Sequence, residues 1–186
     1  MTPGQKQQRW QEVAAWCDQL DPHYPIDPGI KETVIVLNVL GIPTSMSCEG
    51  HLHGPFIPWV NIAAPNFYEE RGRIKKVQDW LSRQQDTEEI RKARKYVEQQ
   101  QKNIIEKHLP IRKQLYSYLA AFYEKRTILY ERRLILSGGD GVTGLSSQGG
   151  VLMEMLPLEE RQERLLEYQD EMRAFTAFLK DIYFSS

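Results

Sequence analysis

Cys48, Glu49, His51 and His53 lie within six residues of one another, inside the stretch from Gly41 to Ile62, GIPTSMSCEGHLHGPFIPWVNI. Each is polar or titratable and costs free energy to desolvate unless it finds a partner, so crowding them together serves a site better than a core. Cys48-x-x-His51-x-His53 offers one soft ligand and two borderline ones, a set that suits zinc. Three protein ligands would leave the open position that catalytic zinc uses. Closing the site into a structural one needs a fourth ligand, which the fold would have to bring from His23 or His108. A second chemistry uses the same residues without a metal: Cys48 as nucleophile and His51 as its base, with Glu49 completing a catalytic set. The third reading is a packed corner, with Cys48 turned inward, Glu49 in solvent and the histidines capping the loop through backbone hydrogen bonds.

Positioning these residues falls to two expected strands. Thr44, Met46 and Cys48 share one parity and Ser45, Ser47 and Glu49 the other, a period of two. A second short strand, Trp59 to Ala63, follows a loop bounded by Pro55 and Pro58. The two are expected to pair as an antiparallel hairpin whose connection carries the histidines, with Cys48 held at a strand end. Upstream, Asp27 followed by Pro28 is a helix start, with the acid at the N-cap and the proline at the first helical position. Gly41 is the matching stop. Between them Ile30, Val34, Ile35, Val36, Leu37, Val39 and Leu40 cover most of the circumference, which predicts a buried helix. The β-branched run keeps a strand as the alternative.

The segment that runs from this apolar helix through GIPTSMSCEGH to PWVNI, residues 26 to 62, resembles a family of bacterial and phage proteins of unknown function that share a G-I-x-T-x-x-S-C-x-G-H motif. The resemblance implies no activity. Ser47, Cys48 and Gly50 are also similar to the Ser-Cys-x-Gly motif of the tRNA wybutosine-synthesising methyltransferase family, which ends in arginine where this chain has His51. No glycine-rich methyl-donor fingerprint stands here in a strand-to-helix setting.

Elsewhere the pattern is mostly helical. Trp10, Val13, Ala14 and Cys17 follow the i, i+3, i+4, i+7 rule and predict an amphipathic helix over 6–20 with Cys17 facing the core. DPHYPIDPG then makes an irregular connection. Asn66 is placed to cap a helix to about Arg83, with Phe67, Ile74, Val77 and Leu81 inward. A polar helix from Thr87 to His108 meets Pro110, and from Ile111 the stripe Leu115, Tyr118, Leu119 and Phe122 resumes, leaving a kink or a break open. Arg133 to Leu136 and Val151 to Met155 read as strands joined by the glycine-rich SGGDGVTGLSSQGG, which lacks the Gly-Lys-Ser/Thr ending of a phosphate loop. From Pro157 onward Leu165, Tyr168, Met172, Phe175, Leu179 and Ile182 form the apolar stripe of a docked C-terminal helix.

The fold class expected is therefore α+β: a small antiparallel sheet of about four strands, packed against the buried helix and the C-terminal helix, with a helical satellite. The 186 residues are expected to form one domain, 1–186, in which residues 66–130 are a mostly helical insertion between the two sheet hairpins. No apolar run approaches the roughly 20 residues of a membrane span, and MTPGQKQQRW has no apolar signal region, so no membrane partner and a cytoplasmic location are expected. Two cysteines are too few for a disulfide framework and are expected as free thiols.

The net charge of −1 conceals an asymmetry. From Arg71 to Arg133 there are 17 Lys and Arg against 8 Asp and Glu, or +9, and the remainder carries 7 against 17, or −10. Such a basic middle is where a polyanion would bind by counterion release, but the charges surround the helices without forming a stripe. Two functions stay open: a small-ligand or zinc-dependent enzyme centred on Cys48, Glu49, His51 and His53, or a non-catalytic module that uses its basic helices to hold a nucleic acid or protein partner.

Overall fold

The computed structural model describes residues 1–20, 23 and 25–185. Asp21, Pro22 and Tyr24 of the expected irregular connection, together with Ser186, lie outside the described residues. The chain is an α+β fold in the order α1 (Pro3–Asp18), α2 (Pro28–Val39), β1 (Thr44–Cys48), β2 (Trp59–Ala63), α3 (Phe67–Leu81), α4 (Glu88–Tyr123), β3 (Leu134–Ser137), β4 (Val142–Ser147) and α5 (Leu158–Ser185). The strands form one antiparallel sheet in the order β1-β2-β4-β3. No helix among the described residues is long and apolar enough to cross a membrane.

One face of the sheet carries the core. Val60 and Ile62 on β2, Leu145 on β4 and Leu134 on β3 pack with Ile30, Val36 and Leu37 of α2 and with Met172, Phe175 and Leu179 of α5. Helix α2 is buried nearly all round, with Val36 and Leu37 fully excluded from solvent, as its continuous apolar sequence predicts. The strand alternative for this segment fails because Pro28 at the helix start and the left-handed Gly41 after it (φ +78°) delimit a helix. Helix α4 runs through Pro110 without a break, so its second half, Leu115, Leu119 and Phe122, joins the main core rather than the satellite. Its first half packs with α3 against Phe67 and Ile104, the satellite expected between the two hairpins.

Three local expectations need correction. Residues 151–155 are not a strand: the second strand of the β3–β4 hairpin is β4, within the expected linker, and Gln148–Met155 is a 3-10 segment. Alternation is present in β4, but small and polar residues carry it, since Thr143, Leu145 and Ser147 face inward and Val142, Gly144 and Ser146 do not. In 151–155 only Met153 is buried, and Val151 and Met155 are about four-fifths exposed. Next, Asn66 adopts the left-handed conformation and makes no side-chain cap, while Val77 is well exposed rather than packed inward. Finally, the period of two in β1 is interrupted. Thr44 pairs with Ile62 and Ser47 with Val60, whereas Met46 pairs with Asn61 and Cys48 with Trp59. The irregularity between Thr44 and Met46 puts Thr44 on the core face with Ser47 and leaves Met46 and Cys48 on the opposite one.

Candidate metal centre

The turn after β1 is held from three sides. Gly50 has φ +85°, and a Cβ there would stand 2.7 Å from the Ile57 carbonyl carbon and 2.8 Å from Pro58 N, so only glycine passes this point without displacing backbone. His51 N–H donates to the Pro55 carbonyl at 2.7 Å, closing the loop on itself. From α5, Gln169 Nε2 donates to the carbonyls of Glu49 (3.1 Å) and Gly50 (3.5 Å).

The fourth constraint exchanges the roles of two carboxylates. Asp27 occupies the N-cap position of α2 but makes no side-chain cap. The capping is done from outside the helix by Glu49, whose Oε2 accepts the Gly29 N–H at 2.6 Å. A Cβ on Gly29 would lie 2.6 Å from that oxygen, so the glycine clears room for the foreign cap. Asp27 Oδ2 instead accepts the Glu49 N–H at 3.1 Å and lies 3.5 Å from His51 Nε2. Asp27, Cys48 and His51 thereby form a group whose candidate ligand atoms all lie within 4.8 Å of one another.

Of the residues expected from sequence, Cys48 and His51 are brought together, and His53 is not part of the group. His53 is exposed in the loop. Glu49 is next to the group in the chain but spends its carboxylate on the helix. Neither suggested fourth ligand joins: His108 is buried on α4 with its Nε2 2.8 Å from Thr143 Oγ1, and His23 is exposed. Asp27 is the member that sequence reading missed, because Asp-Pro is also the ordinary spelling of a helix start. The one signal that could have found it is Gly29 directly after, a glycine within the first helical turn with no left-handed backbone to explain it.

Electrostatics separates the two chemistries. Burial pushes the Cys48 thiol above its ordinary value, the Gly50 N–H donated to Sγ at 3.4 Å offsets part of this, and the Asp27 and Glu49 carboxylates push it up further. A nucleophilic cysteine needs the reverse, a cationic surrounding that favours thiolate. A divalent cation inverts the balance, because it supplies the positive charge on which two anionic ligands converge. The distances fit as well. Tetrahedral zinc, with bonds of about 2.0–2.3 Å, sets ligand atoms roughly 3.3–3.7 Å apart, the separation of Asp27 from His51, and side-chain rotation of about 1 Å closes the remaining gaps.

Asp27 and Cys48 also form part of the wall of a cleft of about 430 Å³. The cleft is lined from both faces of β1, the outermost strand, and by Trp16 and Leu20 at the end of the first helix, so it runs along the outer edge of the sheet. Comparison with family models, curated proteins and solved structures returns no match for this chain.

Proposed function

We propose that the protein is a metal-dependent enzyme acting on a small molecule, with one zinc-class ion held by Asp27 Oδ, Cys48 Sγ and His51 Nε2. The observation that carries this reading is the convergence of a carboxylate, a thiol and an imidazole within 4.8 Å, the first two in the wall of a cleft, with no fourth protein ligand among the described residues. An ion with three protein ligands keeps a position for water or substrate, and there it lowers the pKa of bound water or polarises a carbonyl. Around it, the chain orients ligands. The Glu49 backbone N–H fixes the Asp27 carboxylate, the Glu49 side chain relieves Asp27 of capping α2, and Gln169 pins the turn that carries His51. These outer partners do for the three ligands what hydrogen-bonded neighbours do around known metal sites.

The alternative, a partner held by the basic middle region, has less support. Arg73, Lys92 and Lys107 are each paired with a nearby carboxylate, on Glu69, Glu88 and Glu70, and Arg91 and Arg94 share Asp86, so these side chains are not free to form a polyanion-binding stripe. The test of the metal reading is equilibrium dialysis of tag-free protein against zinc, followed by elemental analysis. A single ion per chain, lost in Asp27→Ala, Cys48→Ser and His51→Ala but kept in His53→Ala, is the expected result. Retention in all three ligand variants, or equal loss in His53→Ala, would contradict the assignment.

A further inference from the structure

We propose that the cleft along β1 takes an uncharged ligand with an aryl or branched aliphatic body, and excludes phosphorylated and other anionic substrates. This deepens the metal reading for the ligand's head group and rests on it there, while the choice of body follows from the walls alone. Its walls include Trp16, Leu20, Ile26, Val34, Met46 and Trp59, so the space is bounded chiefly by apolar and aromatic surface. Trp16 is 44% and Met46 57% exposed, so both are reachable from solvent. Apart from Asp27 and Cys48, the polar contribution is neutral and short: hydroxyls of Thr44, Ser45 and Ser47 along the strand.

Charge decides the class. Among the described residues that line the cleft there is no Lys, Arg or His, and the ionisable ones are Asp27 and Cys48, both of which become anionic ligands once an ion is bound. A zinc-class dication with one carboxylate, one thiolate and one neutral imidazole is electrically neutral as a unit. A phosphate or sulfate entering would find no Lys, Arg or His side chain in the wall to replace its hydration, and an ion already neutralised by two anionic ligands attracts it less than an uncompensated dication would. An uncharged amide, ester or similar head group meets no such penalty, and its apolar body gains from leaving water. About 430 Å³ is the size of pocket that encloses a small ligand of this kind.

The test separates body from head group. Metal-free protein is titrated with N-phenyl-1-naphthylamine, an uncharged aryl probe that fluoresces in apolar surroundings, and the zinc-loaded protein is then titrated with phenylphosphonate and with benzohydroxamate and acetohydroxamate, both added as the uncharged hydroxamic acids that prevail at neutral pH, as displacers. Expected are probe binding weakened about tenfold in Trp16→Ser and unchanged in Trp80→Ser, whose indole is outside the cleft, and displacement by benzohydroxamate at about tenfold lower concentration than by acetohydroxamate. Phenylphosphonate should displace the probe only after Met46→Arg places a cation in the wall. Probe binding indifferent to Trp16→Ser, or phenylphosphonate competing as well as benzohydroxamate in the parent protein, would overturn the proposal. If benzohydroxamate acts equally with and without zinc while the Trp16 effect persists, the metal reading fails and the apolar cleft stands.

Discussion

Replacing Gly50 by alanine should cost the turn more than its backbone conformation alone explains, and Gly41→Ala supplies the comparison. Both glycines are left-handed, with φ +85° and +78°, so each substitution carries the same conformational cost of about 1–2 kcal/mol. At Gly41 a Cβ meets nothing within 4 Å. At Gly50 it meets two backbone atoms, Ile57 C at 2.7 Å and Pro58 N at 2.8 Å, and the Leu165 methyl Cδ1 at 2.8 Å. The methyl can rotate aside, but the backbone pair cannot move without shifting the β1–β2 connection, and overpacking of this sort costs about 1–3 kcal/mol more. For a chain of this size, thermal unfolding should fall by roughly 5–15 °C in Gly50→Ala and by roughly 3–6 °C in Gly41→Ala. Urea unfolding read by circular dichroism gives the free energies directly. Gly50→Ala should also weaken zinc binding, because the shifted turn carries His51, whereas Gly41→Ala should not. Equal destabilisation in the two variants, or zinc affinity unchanged in Gly50→Ala, would refute the claim that this turn is a steric device for the site.

Iodoacetamide labelling of Cys48 in metal-free protein should be slow at neutral pH and accelerate only above the ordinary thiol value of about 8.5, and Asp27→Asn should move that profile downward because an anion beside the sulfur is removed. The sign for stability follows: a thiol whose pKa is higher folded than unfolded favours the fold fully below its unfolded value, and that favour is lost as pH rises through the folded value, so urea midpoints should drop on the alkaline side. Arg126→Ala should cost about 3 kcal/mol, since it strips Glu171, whose side chain is 1% exposed, of the guanidinium that donates to both its oxygens, and denaturant titration would expose an error if the loss were below about 1 kcal/mol. His108 is buried against Thr143, and burial with Arg112 nearby pushes its pKa below the ordinary value. Its contribution is therefore full above about pH 6.5 and lost as pH falls, so that His108→Leu should flatten the acid limb of the stability profile, read by thermal melts across pH.

Sequence made the hairpin and the buried helix legible because strong local signals agreed there. The prolines at 55 and 58 close the loop, and in α2 the Pro28 and Gly41 boundaries outweigh the β-branched run that also suited a strand. The C-terminal stripe was readable for the same reason, with Leu165, Tyr168, Met172, Phe175 and Leu179 all buried. Strand β4 was hidden because tertiary contacts bury Thr143 and Ser147, which no hydrophobic pattern would select, while the apolar run 151–155 stays largely outside. The bulge in β1 was also illegible: it is set by how Thr44 and Asn38 hydrogen-bond and by pairing with Ile62, contacts that period two cannot express. Of the candidate group, sequence pointed to the chain-local members Cys48 and His51 and not to the long-range one. Asp27 lies 21 residues before Cys48, and its release from capping depends on a carboxylate brought by a different turn.

The most direct measurement is cobalt(II) titration of the tag-free, metal-free protein, followed by its visible and near-ultraviolet absorption. A single tetrahedral ion held by Asp27, Cys48 and His51 should give intense d–d bands and a thiolate-to-cobalt charge-transfer band that saturate together at one ion per chain. Cys48→Ser should remove the charge-transfer band, Asp27→Ala and His51→Ala should weaken affinity by more than the roughly 10- to 100-fold that loss of an outer hydrogen-bonding partner costs, and His53→Ala should leave the spectrum as it is. Weak octahedral absorption without the charge-transfer band, or a spectrum unaltered by Cys48→Ser, would contradict the account.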